Sequence, residues 1–372
     1  MKFLGRLFIF VLLMVGAAAA YAWYAIEQPY GTYSGEGVFV DVPHGVSSRG
    51  VARLLERSGV IRNAIAFELY ARRHPRRSLQ AGEYHFDHAV SAKDVFWALA
   101  KGNVYERPFT VREGETMFDI ARELQDAKFL TADEFLAAAK NPELIHDLVP
   151  QAKTLEGFLF PATYHLPRHP AANELTAQMT QKFREEWALV APPSEDKTGQ
   201  SQGRPLLSTV TLASLVERET PKSDERPLVA GVFENRLKRG MLLQCDPTVI
   251  YALEMEGRYS GTLTTKDLHE DSPYNTYTRG GLPPGPIGNP GEISLRAALA
   301  PVDTPFLYFV ANTQGGHFFS ATLEQHNQNV NRYHRLLAGQ PADPEPAAEA
   351  PPRKNDTRGK TSAKQPTKKR SH

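Results

Sequence analysis

PHGVSSRGVARLLERSGVI (residues 43–61) and REGETMFDIARELQDAKFL (residues 112–130) align without gaps at an offset of 69, and the body of the chain is organised around that pair. Gly45 falls on Gly114, Val51 on Ile120, Ala52 on Ala121, Arg53 on Arg122, Leu55 on Leu124 and Ile61 on Leu130. In both copies a glycine marks a turn and the apolar residues after it recur at the spacing of one helix face. Downstream of each lies a strand-like run, AGEYHF (81–86) and EGFLFPATYHL (156–166), the second with an insertion. Each copy therefore predicts a strand, a turn, a helix and a return strand. A unit of that kind used twice, followed by more helices and short strands, makes the chain α+β.

Within the second copy, FTVREGETMFDIARELQ resembles a LysM module, whose usual task is holding N-acetylglucosamine-containing wall chains. The same scaffold without its sugar site fits those residues equally well.

The ends differ from the body. Residues 7–26, LFIFVLLMVGAAAAYAWYAI, carry no charge and would form a helix of about 30 Å, the thickness of a bilayer core. Ala18, Ala19 and Ala20 leave a cleaved signal peptide as the alternative, whereas Tyr21, Trp23 and Tyr24 form the aromatic belt of a retained anchor. Lys2 and Arg6 precede the run and no Lys or Arg follows before Arg49, so residues 1–6 are expected in the cytoplasm and the body beyond the membrane. From about 339 to 372 the chain is rich in proline and loses apolar periodicity, which predicts a disordered tail. Residues 353–372 hold eight Lys and Arg against Asp356 alone, a net of +7, which suits either a solubilising tail or contact with an anionic surface.

The whole chain of 372 residues has a formal charge of +1, so the rest carries −6 and shows no basic surface expected of a nucleic-acid binder. A single cysteine, Cys245, excludes an internal disulfide and any multi-cysteine metal cluster. It reads as a small apolar filler. There is no HExxH pair, GxSxG elbow or phosphate loop, and neither a metal nor a cofactor is expected. A polar stretch, 192–205, reads as an exposed loop.

Beyond that stretch, LLSTVTLASLVERETP (206–221) predicts a helix with Ser208 as a cap and Pro221 as its stop. Leu212, Leu215, Val216 and Glu219 share a face, and Glu217 lies about 200° away from Glu219. Apolar neighbours and the negative end of the helix dipole both favour a protonated Glu219. A carboxyl that keeps its proton near neutral pH can serve as a general acid. From the helix alone, a surface acid beside Arg218 and Lys222 remains open.

MLLQCDPTVIYALE (241–254), SPYNTYTRGGLPPGPIGNPG (272–291) and FLYFVANTQGGHFFSATLEQHNQNV (306–330) resemble the YceG-like family over about residues 35–335. Members of that family are membrane-anchored endolytic lytic transglycosylases. The resemblance implies a membrane helix over 7–26, a LysM-like module over 35–108 and a catalytic domain over 109–338 that opens with the second repeat. It places the catalytic acid on Glu219 within ASLVERET. It implies peptidoglycan as the substrate and glycan polymerases, such as penicillin-binding proteins, as neighbours. It also matches Glu156 in LEGFLFPATYHLP to a family acid, while Ala162 stands where the family string has an Asp. Gln244, Asp246, Tyr274, Asn275 and Tyr277 are the candidates for holding sugar, because amides, carboxylates and aromatic faces suit acetamido groups, hydroxyls and pyranose rings. The proline- and glycine-rich GLPPGPIGNPG suits a cleft wall. The alternative function is a non-catalytic wall-binding scaffold.

Overall fold

A computed structural model describes residues 2–31, 33, 35, 37–191 and 204–341. Residues 192–203 of the expected loop and residues 342–372 of the expected tail lie outside the described residues. The chain divides into two compact units, Met1–Ala188 and Leu189–His372. Its helices and short two-stranded antiparallel sheets make it a mixed α+β protein.

The first unit begins with α1 (Lys2–Glu27), a helix long and apolar enough to cross a membrane. Two copies of the repeat follow it. The first runs β1 (Val38–Val42), α2 (Ser48–Arg57), α3 (Ala64–Arg72) and β2 (Gly82–Phe86), with α4 (Ala92–Lys101) after it. The second runs β3 (Arg107–Thr110), α5 (Met117–Asp126), α6 (Ala132–Ala139) and β4 (Thr163–Leu166), and α7 (Ala172–Val190) comes last. Each copy thus holds two helices between its strands where the periodicity predicted one. The extra helices start at their own caps: Asn63 accepts from the Ala66 N–H, and Thr131 forms a reciprocal capping box with Glu134.

The match between copies extends to single atoms. Ser47 and Thr116, at the same offset, both cap the first helix. Gly45 and Gly114 both take positive φ, at 77° and 82°. Gly59 (φ 71°) has as its counterpart Lys128 (φ 59°), so the second copy ends its helix in a left-handed conformation without a glycine. Val40 pairs with Tyr84 and Phe109 with Tyr164, and each tyrosine hydroxyl donates to the carbonyl four residues earlier, Gln80 and Phe160. Leu55, Phe67, Phe96 and Leu99 centre the first core; Ile120, Leu124, Phe135 and Phe158 are buried in the second copy.

The second unit contains α8 (Leu206–Glu219), α9 (Arg226–Lys238), α10 (Asp246–Met255), α11 (Thr265–Leu268), α12 (Glu292–Leu299), the hairpin β5 (Tyr308–Ala311) and β6 (His317–Ser320), and α13 (Leu323–Leu337). Helix α8 is buried continuously from Thr209 to Glu217 and packs against α9, α10 and α12. Ser208 does not cap it. Pro205 holds the cap position without a side-chain bond, because a fixed φ suits a helix start and Ser208 already lies inside the first turn. The helix stops at Glu219, and Thr220, before Pro221, is extended. Its neighbour α9 approaches closely enough that a Cβ on Gly231 would lie 2.4 Å from the Val302 carbonyl.

Glu217 anchors this packing. Its carboxylate pairs with Arg226 at 2.5 Å and accepts the Gly291 N–H at 3.0 Å, with both side chains almost wholly buried. Removing one partner of a buried pair costs roughly 3–5 kcal/mol, because the other charge stays desolvated. Arg226→Met should lose stability of that order in urea melts, with Arg226→Lys losing less.

Candidate functional site

Helix α8 positions two acids on opposite sides. Glu217 turns toward Arg226 and Gly291, as above, while Glu219 turns toward the start of α10 and the C-terminal half of α9. Part of the Glu219 residue still meets solvent, yet desolvation of its carboxyl is the largest influence on it. Burial pushes its pKa from 4.5 up to about 7. The Cys245 thiol, hydrogen-bonded to the carboxyl, opposes that rise; the Asp246 charge adds to it, and the Arg236 guanidinium opposes it.

The turn into α10 supplies the facing wall. Along residues 242–246 exposed and buried positions alternate, so Leu243 and Cys245 point inward while Gln244 and Asp246 remain open. Gln244 holds a left-handed φ of 52°, and its N–H donates to the Thr276 carbonyl at 3.2 Å. The Cys245 N–H donates to Thr276 Oγ1 at 2.9 Å. Asp246, the first residue of α10, accepts the Tyr277 hydroxyl proton, and burial with that carboxylate raises the Tyr277 pKa well above its usual 10. Glu219, Cys245, Asp246 and Tyr277 therefore form one cluster, with Gln244 on its exposed side.

Tyr274 is half-buried, its ring 5.1 Å from that of Tyr251. Pro273, Thr276, Arg279 and residues 280–284 line a groove of about 320 Å³, so part of the glycine- and proline-rich segment does form a wall.

Two candidates have different tasks. Asn275 is 1% exposed; its amide donates to the carbonyls of Leu268 (3.1 Å) and Glu270 (2.7 Å), and its side-chain oxygen accepts the Tyr277 N–H at 2.9 Å. The amide expected to meet a sugar is committed to fixing this turn, and so to aiming Tyr277. Glu156 belongs to the first unit, where it is 2% exposed and accepts the Met117 N–H at the start of α5 with both oxygens. A carboxylate there satisfies a free helix donor and complements the helix dipole.

Arg236 and Cys245 are the neighbours of the acid that the sequence did not single out as site residues. Arg236 shares the buried face of α9 with Val229, Val232 and Phe233, a spacing that would have marked it as inward-facing. Among the described residues no His, Cys, Asp and Glu group has metal-binding geometry.

Comparison with known proteins agrees with this architecture. A Bacillus subtilis protein named endolytic murein transglycosylase is 34% identical over 337 residues, covering 86% of this chain and 91% of its own length. A Streptococcus pneumoniae protein of the same name is 29% identical over 358 residues, and the chain spans 64% of it. A crystal structure of a yceG-like protein from Listeria monocytogenes superposes with a TM-score of 0.50 at 33% identity, covering 79% of this chain and 99% of that one. The model of the YceG-like family matches residues 40–332, and the chain belongs to that family.

Proposed function

We propose that this chain is an endolytic murein transglycosylase that cuts MurNAc–GlcNAc bonds within newly made glycan strands and leaves 1,6-anhydro-MurNAc ends. The observation that carries this reading is a partly open carboxyl that holds its proton to about pH 7, set against a turn with an exposed amide and an exposed carboxylate. A scaffold would not require an acid kept in so costly a position. Helix α8 could have left Glu219 on an open surface away from Gln244, and it does not.

Glycoside hydrolysis ordinarily takes two carboxylates, one of them to supply a nucleophile or activate water. An intramolecular transfer needs only one. Protonated Glu219 donates to the leaving GlcNAc oxygen as the C1–O4 bond breaks. The C6 hydroxyl of the same MurNAc then attacks C1, and the Glu219 carboxylate takes its proton as the C1–O6 bond forms. The acid is returned protonated and no water is consumed. A carboxyl with pKa near the working pH serves both halves of that cycle. In this reading Gln244, Asp246, Tyr274 and Tyr277 hold the sugars, Asn275 fixes the turn that presents Tyr277, and Glu156 secures the start of α5.

The repeat over 35–108 and the copy that opens 109–338 are read as LysM-like units holding glycan near the membrane. The anchor reading is supported by how α1 ends: Ala25 is 2% exposed, Arg62 stacks 4.9 Å from the Tyr24 ring, and Lys93 pairs with Glu27 at 3.1 Å. Lys2 and Arg6 before the apolar run support a cytoplasmic amino terminus with the body outside. Peptidoglycan is then the partner at hand, and glycan polymerases that make the strands are natural neighbours.

Glu219→Gln should abolish anhydro-ended fragments from lipid-linked, uncrosslinked glycan, with a loss of at least about 10²-fold; undiminished product on mass spectrometry would sink the assignment. In the wild type kcat/KM should fall as pH rises through about 7, as the general acid loses its proton. Stability follows the same sign. Glu219 contributes least penalty below 4.5, and folding pays progressively for desolvating the carboxylate as pH rises to about 7. At about 1.4 kcal/mol per pH unit the penalty is on the order of 3 kcal/mol. Glu219→Gln should therefore melt higher than the wild type at pH 8, with the difference shrinking toward pH 5.

A further inference from the structure

We propose that Arg236 is the positioning residue of this site: its guanidinium clamps residues 242 and 243 from the inside and holds a buried positive charge beside the Glu219 carboxyl. The inference rests on the reading of Glu219 as the acid and extends it to a residue that touches no substrate.

The clamp has two jaws. Arg236 is 8% exposed; its Nε donates to the Leu307 carbonyl at 2.7 Å, and its Nη1 donates to the carbonyls of Leu243 at 2.7 Å and Leu242 at 3.3 Å. On the other side, Thr276 takes the next two N–H groups, those of Gln244 and Cys245. Carbonyls 242 and 243 are thus held by an arginine from α9, and amides 244 and 245 by a threonine 31 residues beyond Cys245. Between the jaws Gln244 is kept in its left-handed conformation, and immediately after them come the thiol that meets Glu219 and the carboxylate that meets Tyr277. A planar guanidinium can serve carbonyls of two separate segments at once, and a lysine ammonium cannot match that fork.

The charge has its own effect. Glu219 is faced by Cys245, Asp246 and Arg236, with Tyr277 also within range. Arg236 is faced by Tyr308, whose ring lies 5.3 Å from the guanidinium, by Glu219, by Tyr277 and by Cys245, and it also acts on His326. Of the groups facing Glu219, Arg236 supplies the positive charge, so it limits how far burial and Asp246 can raise the acid.

The two duties separate in two variants of the full chain. Arg236→Gln loses the charge; Arg236→Lys keeps it and loses the fork. Each is measured by anhydro-product kinetics against pH and by ¹³C NMR titration of labelled glutamate, with the Glu219 signal assigned by its loss in Glu219→Gln. For Arg236→Gln the Glu219 titration and the alkaline limb of kcat/KM should both move up. For Arg236→Lys both should stay near the wild-type position while kcat falls, because the carbonyls of residues 242 and 243 lose the fork that holds them. An unmoved Glu219 titration in Arg236→Gln, or wild-type kcat in Arg236→Lys, would overturn the proposal. Should Glu219→Gln still yield anhydro ends, the assignment of the acid fails, and the NMR titration still judges the charge of Arg236 by itself.

Discussion

The burial of α8 on every side is the constraint from which the second unit follows. A helix with apolar and small residues around its whole circumference must be enclosed by α9, α10 and α12, and its end must then open into the interior. Whatever residue stands at that end is desolvated by the packing that stabilises the unit. Two acids lie near it, and the helical rotation between them assigns their fates. Glu217 receives a cation and a backbone donor and becomes structural. Glu219 receives a weak thiol donor, a repelling carboxylate and a cation occupied with backbone carbonyls. The difference in company, more than a difference in depth, leaves one acid ion-paired and the other inclined to keep its proton.

Much of this was legible in the sequence because it rests on short-range rules. Gly45 and Gly114 mark turns, Ser47 and Thr116 stand before apolar periodicity, and Pro221 stops α8; each acts within a few residues. The second helix of the second repeat is legible too, since Thr131 and Glu134 spell a capping box. Ser208 misled because a hydroxyl at a helix start resembles a cap whether or not the chain turns there.

What stayed hidden depends on backbone direction or on residues apart in the chain. Asn275 has the composition of a sugar contact, and its neighbours two to eight residues away consume its whole amide, a local event that only backbone direction reveals. The helical spacing of Arg236 marks it as inward-facing and says nothing of its partners. Its role appears only when the carbonyls of Leu243 and Leu307, 7 and 71 residues further along the chain, meet at its guanidinium. Glu156 was matched by type, and the fold gives it to a helix start in the first unit.

The junction of α1 with the first repeat carries a mechanical consequence. Ala25, the Arg62–Tyr24 stack and the Lys93–Glu27 pair join the membrane-length helix to the repeat without a free swivel. Were that helix seated in a bilayer, its tilt would therefore set the orientation of the first repeat.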